Sequence, residues 1–117
     1  MRTHIHMIVT AKVRYIPSVE NDLKLWINKV VTDVGMKVLS GPHMCYSDVK
    51  DNEGWTGVAV LDFSHIALHT WPKDNLIEFD LFSCKDFDVN IVIDNLRYFG
   101  LDDYTVKIIN RDKKFDV

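Results

Sequence analysis

Residues 57–82 read GVAVLDFSHIALHTWPKDNLIEFDLF. Gly57–Leu61 is a continuous apolar run of the kind that forms a strand buried on both faces. Ile66–Trp71 and Leu76–Phe82 are rich in β-branched and aromatic residues and predict two further strands, with Pro72-Lys73-Asp74-Asn75 as the turn between them. Three strands in succession joined by short turns mean an antiparallel sheet, because a parallel pair needs a long crossover.

Working outward from this block, His4–Val9 is apolar enough for a first strand. Pro17-Ser18 then interrupts, with Ser18 available to cap a helix. Leu23, Trp26, Ile27, Val30, Val31 and Val34 follow at spacings of three and four, one apolar helical face that Gly35 ends. Lys37–Tyr46 predicts a strand interrupted at Gly41-Pro42, and Asp48–Gly54 a polar loop. Downstream, Asp86 or Asp88 caps a second helix in which Val89, Val92, Ile93 and Leu96 recur up to Gly100. Tyr104–Ile109 predicts the last strand. The order β-α-β-β-β-β-α-β puts two helices on one face of a mainly antiparallel sheet, an α+β two-layer sandwich.

The chain has 117 residues, 47% of them hydrophobic, with only 5 Gly and 3 Pro, so a single domain over residues 1–117 is expected and low-complexity classes are excluded. No apolar run approaches the ~18 residues of a membrane span, and the N-terminal residues have no signal-peptide core. A net charge of −3 argues against a nucleic-acid surface, which needs a basic stripe. Cys45 and Cys84 are too few for a disulfide scaffold and point to a reducing, cytoplasmic compartment. Cys45 reads as a small buried residue, Trp26 as helix-face core and Lys113-Lys114 as a solvated tail. A domain this small builds a pocket best at a surface cleft or between subunits.

Polar residues with chemistry in them crowd into Asp62–Cys84. Ser64, His65 and His69 lie inside or beside an otherwise apolar strand. Ser64 and His69, five apart, fall on opposite faces of a regular strand, so the pair cooperates only if the strand is broken near Ser64. His4 and His6 share one strand face, as do His65 and His69. Zinc needs three or four converging ligands, and no Cys or carboxylate stands at ligand spacing, so no metal is expected.

FSHIALHTWPK (residues 63–73) followed by DLFSC (residues 80–84) resembles the bacterial and archaeal S-adenosylmethionine decarboxylases, whose hallmark reads approximately ESHISIHTWPE before a DVFTC-like strand. The spacing is kept without a gap, and the order of elements agrees along nearly the whole chain. The resemblance implies a pyruvoyl enzyme that makes its own cofactor. The Ser64 hydroxyl would attack the Phe63 carbonyl, converting amide to ester. Elimination would then divide the chain between Phe63 and Ser64 into residues 1–63 and 64–117, and dehydroalanine at position 64 would hydrolyse to the pyruvoyl group. His69, with Thr56 in the place where the family usually has serine, would assist this cleavage by proton transfer and positioning. The pyruvoyl ketone would form a Schiff base with the substrate amine and act as electron sink while carbon dioxide leaves. Cys84 would return the proton, since a thiol of ordinary acidity, near about 8.5, is mostly protonated at neutral pH. Trp71 matches the aromatic on which the family stacks adenine. A homodimer with shared sites, serving spermidine and other polyamine synthesis, is the expected setting.

Three positions depart from that pattern. Phe63 stands where the family has glutamate. Lys73 replaces the carboxylate that closes the hallmark, and a lysine can only donate where a carboxylate accepts two hydrogen bonds from a sugar diol. Glu78 stands where the family has a small residue and, by strand alternation, shares a face with Asp80 and Cys84. Two readings of the Lys73/Glu78 exchange are open. In one, both side chains are solvated. In the other, the substrate is L-ornithine or L-arginine, as in divergent relatives, and Glu78 receives its distal cation. A third possibility, resting on Phe63, is a non-processing homologue with a regulatory or structural role.

Overall fold

The computed structural model describes residues 3–111, so Lys113-Lys114 lie outside the described residues. The chain runs β1 (Ile5–Val13), α1 (Glu20–Asp33), β2 (Val38–Ser47), β3 (Gly54–Leu61), β4 (Ser64–Trp71), β5 (Leu76–Ser83), α2 (Val89–Leu96) and β6 (Leu101–Asn110). This is the order read from the sequence. One six-stranded sheet results, in the order β2-β3-β4-β5-β1-β6, with neighbours antiparallel throughout. β1 runs on to Val13 because Met7, Val9, Ala11 and Val13 keep facing the core at alternate positions.

Both helices cover the same face. α1 buries Leu23, Trp26, Ile27, Val30 and Val31, and α2 buries Val92, Ile93 and Leu96. Beneath them lie Ile66 and Leu68 of β4 and Ile77, Phe79 and Leu81 of β5, all fully buried. Burying a side chain of this size contributes about 1.5–3 kcal/mol. Trp26 is at the centre as expected: its ring lies 5.6 Å from Phe79 and 5.0 Å from Phe99, and its indole N–H donates to the Asn95 carbonyl at 2.8 Å.

Several sequence expectations need correction. β3 is not buried on both faces. Val58 and Val60 are 43% and 49% exposed while Ala59 and Leu61 are buried, because helices cover one side of the sheet only. Cys45 is exposed, since it sits on edge strand β2 and on that open face. Ser18 does not cap α1: the cap position is Val19, without a side-chain hydrogen bond, and the Ser18 carbonyl accepts instead from the Trp55 indole at 3.2 Å. Asp88, not Asp86, caps α2, accepting from the Asn90 N–H at 2.9 Å.

Candidate active site

β3 and β4 form a tight hairpin. Leu61 pairs with Ser64, leaving Asp62-Phe63 as the two-residue turn. Asp62 anchors it to the start of β2, donating its N–H to the Lys37 carbonyl at 3.0 Å and accepting the Lys37 N–H on its carboxylate at 2.9 Å. Ser64, the first residue of β4, has φ +148°, a region that L residues seldom enter and that costs on the order of 1–3 kcal/mol.

The Phe63 carbonyl accepts the backbone N–H of Cys84 at 2.9 Å, and Ser64 Oγ lies 3.2 Å from Cys84 Sγ. A carbonyl held by a fixed N–H is polarised, and the same donor stabilises negative charge gathering on its oxygen during attack. Cys84 thus meets both neighbouring residues, the Phe63 carbonyl through its backbone N–H and the Ser64 hydroxyl through its thiol. Cys84 is the first residue beyond β5, while Glu78 and Asp80 lie within it.

The other candidate residues form a second cluster on the open face. Thr56 and His69 pair across β3 and β4, with Thr56 Oγ1 and His69 Nδ1 3.2 Å apart. His69 pairs on its other side with Glu78, whose carboxylate accepts from the Thr10 hydroxyl at 3.5 Å. The Trp71 ring stacks near His69, with centroids 6.0 Å apart and planes inclined by 26°, and its N–H donates to Asn52 at 2.9 Å. A depression of about 250 Å³ opens here, lined by His6, Ile8, Thr10, His69, Glu78 and Asp80.

Lys73 is not free: its ammonium donates to Glu53 at 2.9 Å. That hydrogen bond holds the Glu53 carboxyl below its ordinary range and raises the Lys73 ammonium. Glu53, from the loop before β3, thus places a carboxylate beside position 73.

The two clusters are separate within one chain. Ser64 and His69 are five residues apart on β4, about 16 Å at the usual strand rise. The unusual backbone at Ser64 does not bring them together. Phe63, Ser64 and Cys84 sit at one end of β4; Thr56, His69, Trp71, Lys73 and Glu78 sit toward the other.

Sequence reasoning missed a third grouping on the open face. Asp80 lies 2.9 Å from His6 Nε2 and 3.9 Å from His65 Nε2, beside the Phe82 ring. Only the β1-β5-β4 register unites these residues, and no local spacing signals it. Among the described residues, no group of three or more His, Cys, Asp or Glu is arranged to hold a metal ion. Nor is any helix of the described residues long and apolar enough to cross a membrane.

Residues 16–112 match the family described as S-adenosylmethionine decarboxylase. The chain belongs to that family. An S-adenosylmethionine decarboxylase proenzyme of Clostridium botulinum is 39% identical over 46 residues, 38% of this chain and 40% of that protein. One of Methanococcus maripaludis is 39% identical over 61 residues, 51% of this chain and 49% of that protein. These matches span half or less of the curated relatives. The crystal structure of the adenosylmethionine decarboxylase from Aquifex aeolicus VF5 is similar in fold, with a TM-score of 0.67 at 20% identity, covering 94% of this chain and 91% of that one.

Proposed function

We propose that this member of the S-adenosylmethionine decarboxylase family is a self-processing, pyruvoyl-dependent decarboxylase. Its substrate is S-adenosylmethionine, and its product is the aminopropyl donor for spermidine and other polyamines. The observation that carries this reading is the contact set at position 64: a serine in strained backbone, its Oγ against the Cys84 thiol, following a carbonyl already bound by the Cys84 N–H.

These residues fit the conversion of Ser64 to a pyruvoyl group. Attack by Oγ on the Phe63 carbonyl carbon breaks the amide C–N bond, and the hydroxyl proton passes to the Ser64 nitrogen. Elimination from the resulting ester frees the Phe63 carboxylate, and water then replaces the nitrogen, which leaves as ammonia. The pyruvoyl group supplies a carbonyl that takes up the substrate amine and draws electron density as carbon dioxide departs. Cys84 keeps a proton donor at that spot, Trp71 offers an aromatic face, and His69 with Thr56 moves protons during processing.

The separation of Ser64 from His69 supports a homodimer in which each site takes Ser64 and Cys84 from one chain and His69, Thr56, Trp71 and Glu78 from its partner. The open face supports the same assembly, since it carries exposed Ile8, Val58, Val60 and Ile109 and the sequence of β3 reads as buried on both sides.

Glu78 favours one second reading. It is an exposed carboxylate in the 250 Å³ depression beside His69, while Lys73 is neutralised by Glu53, so L-ornithine or L-arginine would find a partner for its distal cation.

Intact-mass measurement of the purified protein tests the processing. Wild type should divide into 63- and 54-residue chains and Ser64→Ala should stay whole and inactive. A wild-type chain whole under all conditions would point to a non-processing regulatory or structural homologue. Release of carbon dioxide from S-adenosylmethionine, L-ornithine and L-arginine in parallel tests the substrate, and turnover of ornithine or arginine alone overturns the first choice.

A further inference from the structure

We propose that Lys85 is a positioning residue for the Phe63–Ser64 peptide, acting through the Phe63 ring; this rests on the self-processing reading above. The Lys85 ammonium lies 4.6 Å from the centroid of that ring and donates to the Gly35 carbonyl at 2.7 Å. Gly35 follows the C-terminal end of α1, where helix carbonyls gather negative partial charge that attracts a cation. The ammonium is thus held between a helix end and an aromatic face, and both favour positive charge.

The backbone of Lys85 is fixed as well. The Ser83 hydroxyl donates to the Lys85 carbonyl at 2.6 Å and accepts the Lys85 N–H at 3.0 Å. Cys84 lies between these locked residues, and its own N–H binds the Phe63 carbonyl. The scissile unit is therefore gripped twice from the same short segment, at its carbonyl by residue 84 and at its side chain by residue 85. The rest of the turn is held at Asp62 by Lys37 and by packing of Phe63 against the core, so the 84–85 segment adds the restraints that act on the Phe63 carbonyl and on the face of its ring. A shift of the Phe63 backbone would carry its carbonyl away from the Cys84 N–H.

Phe63 then acquires a purpose. A ring at this position takes its restraint from a lysine through its π face, and Lys85 stands one residue beyond the thiol to provide it. The aromatic residue is the partner of a cation rather than a sign of lost processing.

The test is the rate of self-cleavage of freshly translated full-length chain, followed by intact mass. Lys85→Met, which keeps the length but not the charge, should slow cleavage by roughly tenfold, as expected when one cation–ring contact is withdrawn from the transition state. Lys85→Arg should cleave near the wild-type rate, because a guanidinium also sits over a ring. Phe63→Leu should slow cleavage similarly, and the double variant with Lys85→Met should be no slower than either single one. If wild type divides and Lys85→Met divides equally fast, the positioning role is overturned while the processing stands. It is also overturned if Lys85→Arg is as slow as Lys85→Met and both melt lower than wild type, since Lys85 would then only support the fold. A wild-type chain that never divides overturns both proposals.

Discussion

Cys84 touches the Phe63–Ser64 pair with two different groups, and they can be separated by one substitution. Its N–H binds the Phe63 carbonyl, while its thiol lies against Ser64 Oγ. Cys84→Ala keeps the first contact and removes the second. The variant should therefore still divide its chain, within about tenfold of the wild-type rate, because polarisation of the carbonyl comes from the backbone. Decarboxylation should fall much further, by about 10²-fold or more, the usual loss when a positioned proton donor is removed. Intact mass reports the first quantity and carbon dioxide release the second. Unchanged turnover would remove Cys84 from proton return, and a chain that no longer divides would mean that the thiol itself serves the cleavage.

The β3–β4 pair is the element that sets Thr56 beside His69, and its spacing depends on backbone packing at the start of β3. A Cβ added to Gly54 would lie 1.8 Å from the Thr70 carbonyl oxygen, an overlap with backbone that only displacement of the strand can relieve. At Gly57 the nearest atom would be the Met44 sulfur at 2.3 Å, on a flexible side chain that can turn aside. Gly54→Ala should accordingly cost at least about 3 kcal/mol in urea unfolding and Gly57→Ala clearly less. Equal midpoints for the two variants would refute this account of the pairing. That β3 and β4 are strands was readable from their apolar and β-branched runs, whereas the Asp62-Phe63 turn and the alternating exposure of β3 emerged only from the fold. The Ser64–Cys84 grouping was also legible, since the hallmark keeps its spacing through Phe63–Lys73 and into Asp80–Cys84. What was not legible depends on register or on loops distant in the chain. Glu53 reaches Lys73 across 20 residues, His6 reaches Asp80 across 74, and Lys85 meets Phe63 only through the fold. The burial predicted for both faces of β3 failed for a related reason: an apolar run does not record that both helices lie on one side of the sheet, which leaves Val58 and Val60 exposed.

At the scale of the whole molecule, the two residue clusters are either unrelated or halves of one site completed by a second copy. Strand geometry excludes their cooperation within a chain, since about 16 Å separates Ser64 from His69 along β4, whereas general acid–base chemistry needs contact near 3 Å. A twofold pair of chains can present the Ser64–Cys84 end of each to the His69 end of the other, and complementation between two inactive variants detects this. Ser64→Ala retains His69 but has no nucleophile, and His69→Ala retains the nucleophile but has no imidazole. Expressed alone, the first chain should stay whole and the second should divide at least about 10²-fold more slowly than wild type. Co-expressed with distinguishable tags, they should form mixed dimers in which one site combines Ser64 of the His69→Ala chain with His69 of the Ser64→Ala chain. The tagged His69→Ala chain should then divide in a fraction of molecules set by mixed-dimer formation, near half for random pairing of equal amounts, while the Ser64→Ala chain remains whole. If the His69→Ala chain divides no faster in the mixture than alone, although mixed dimers are recovered through both tags, the shared site is wrong and His69 belongs to some other task on the open face.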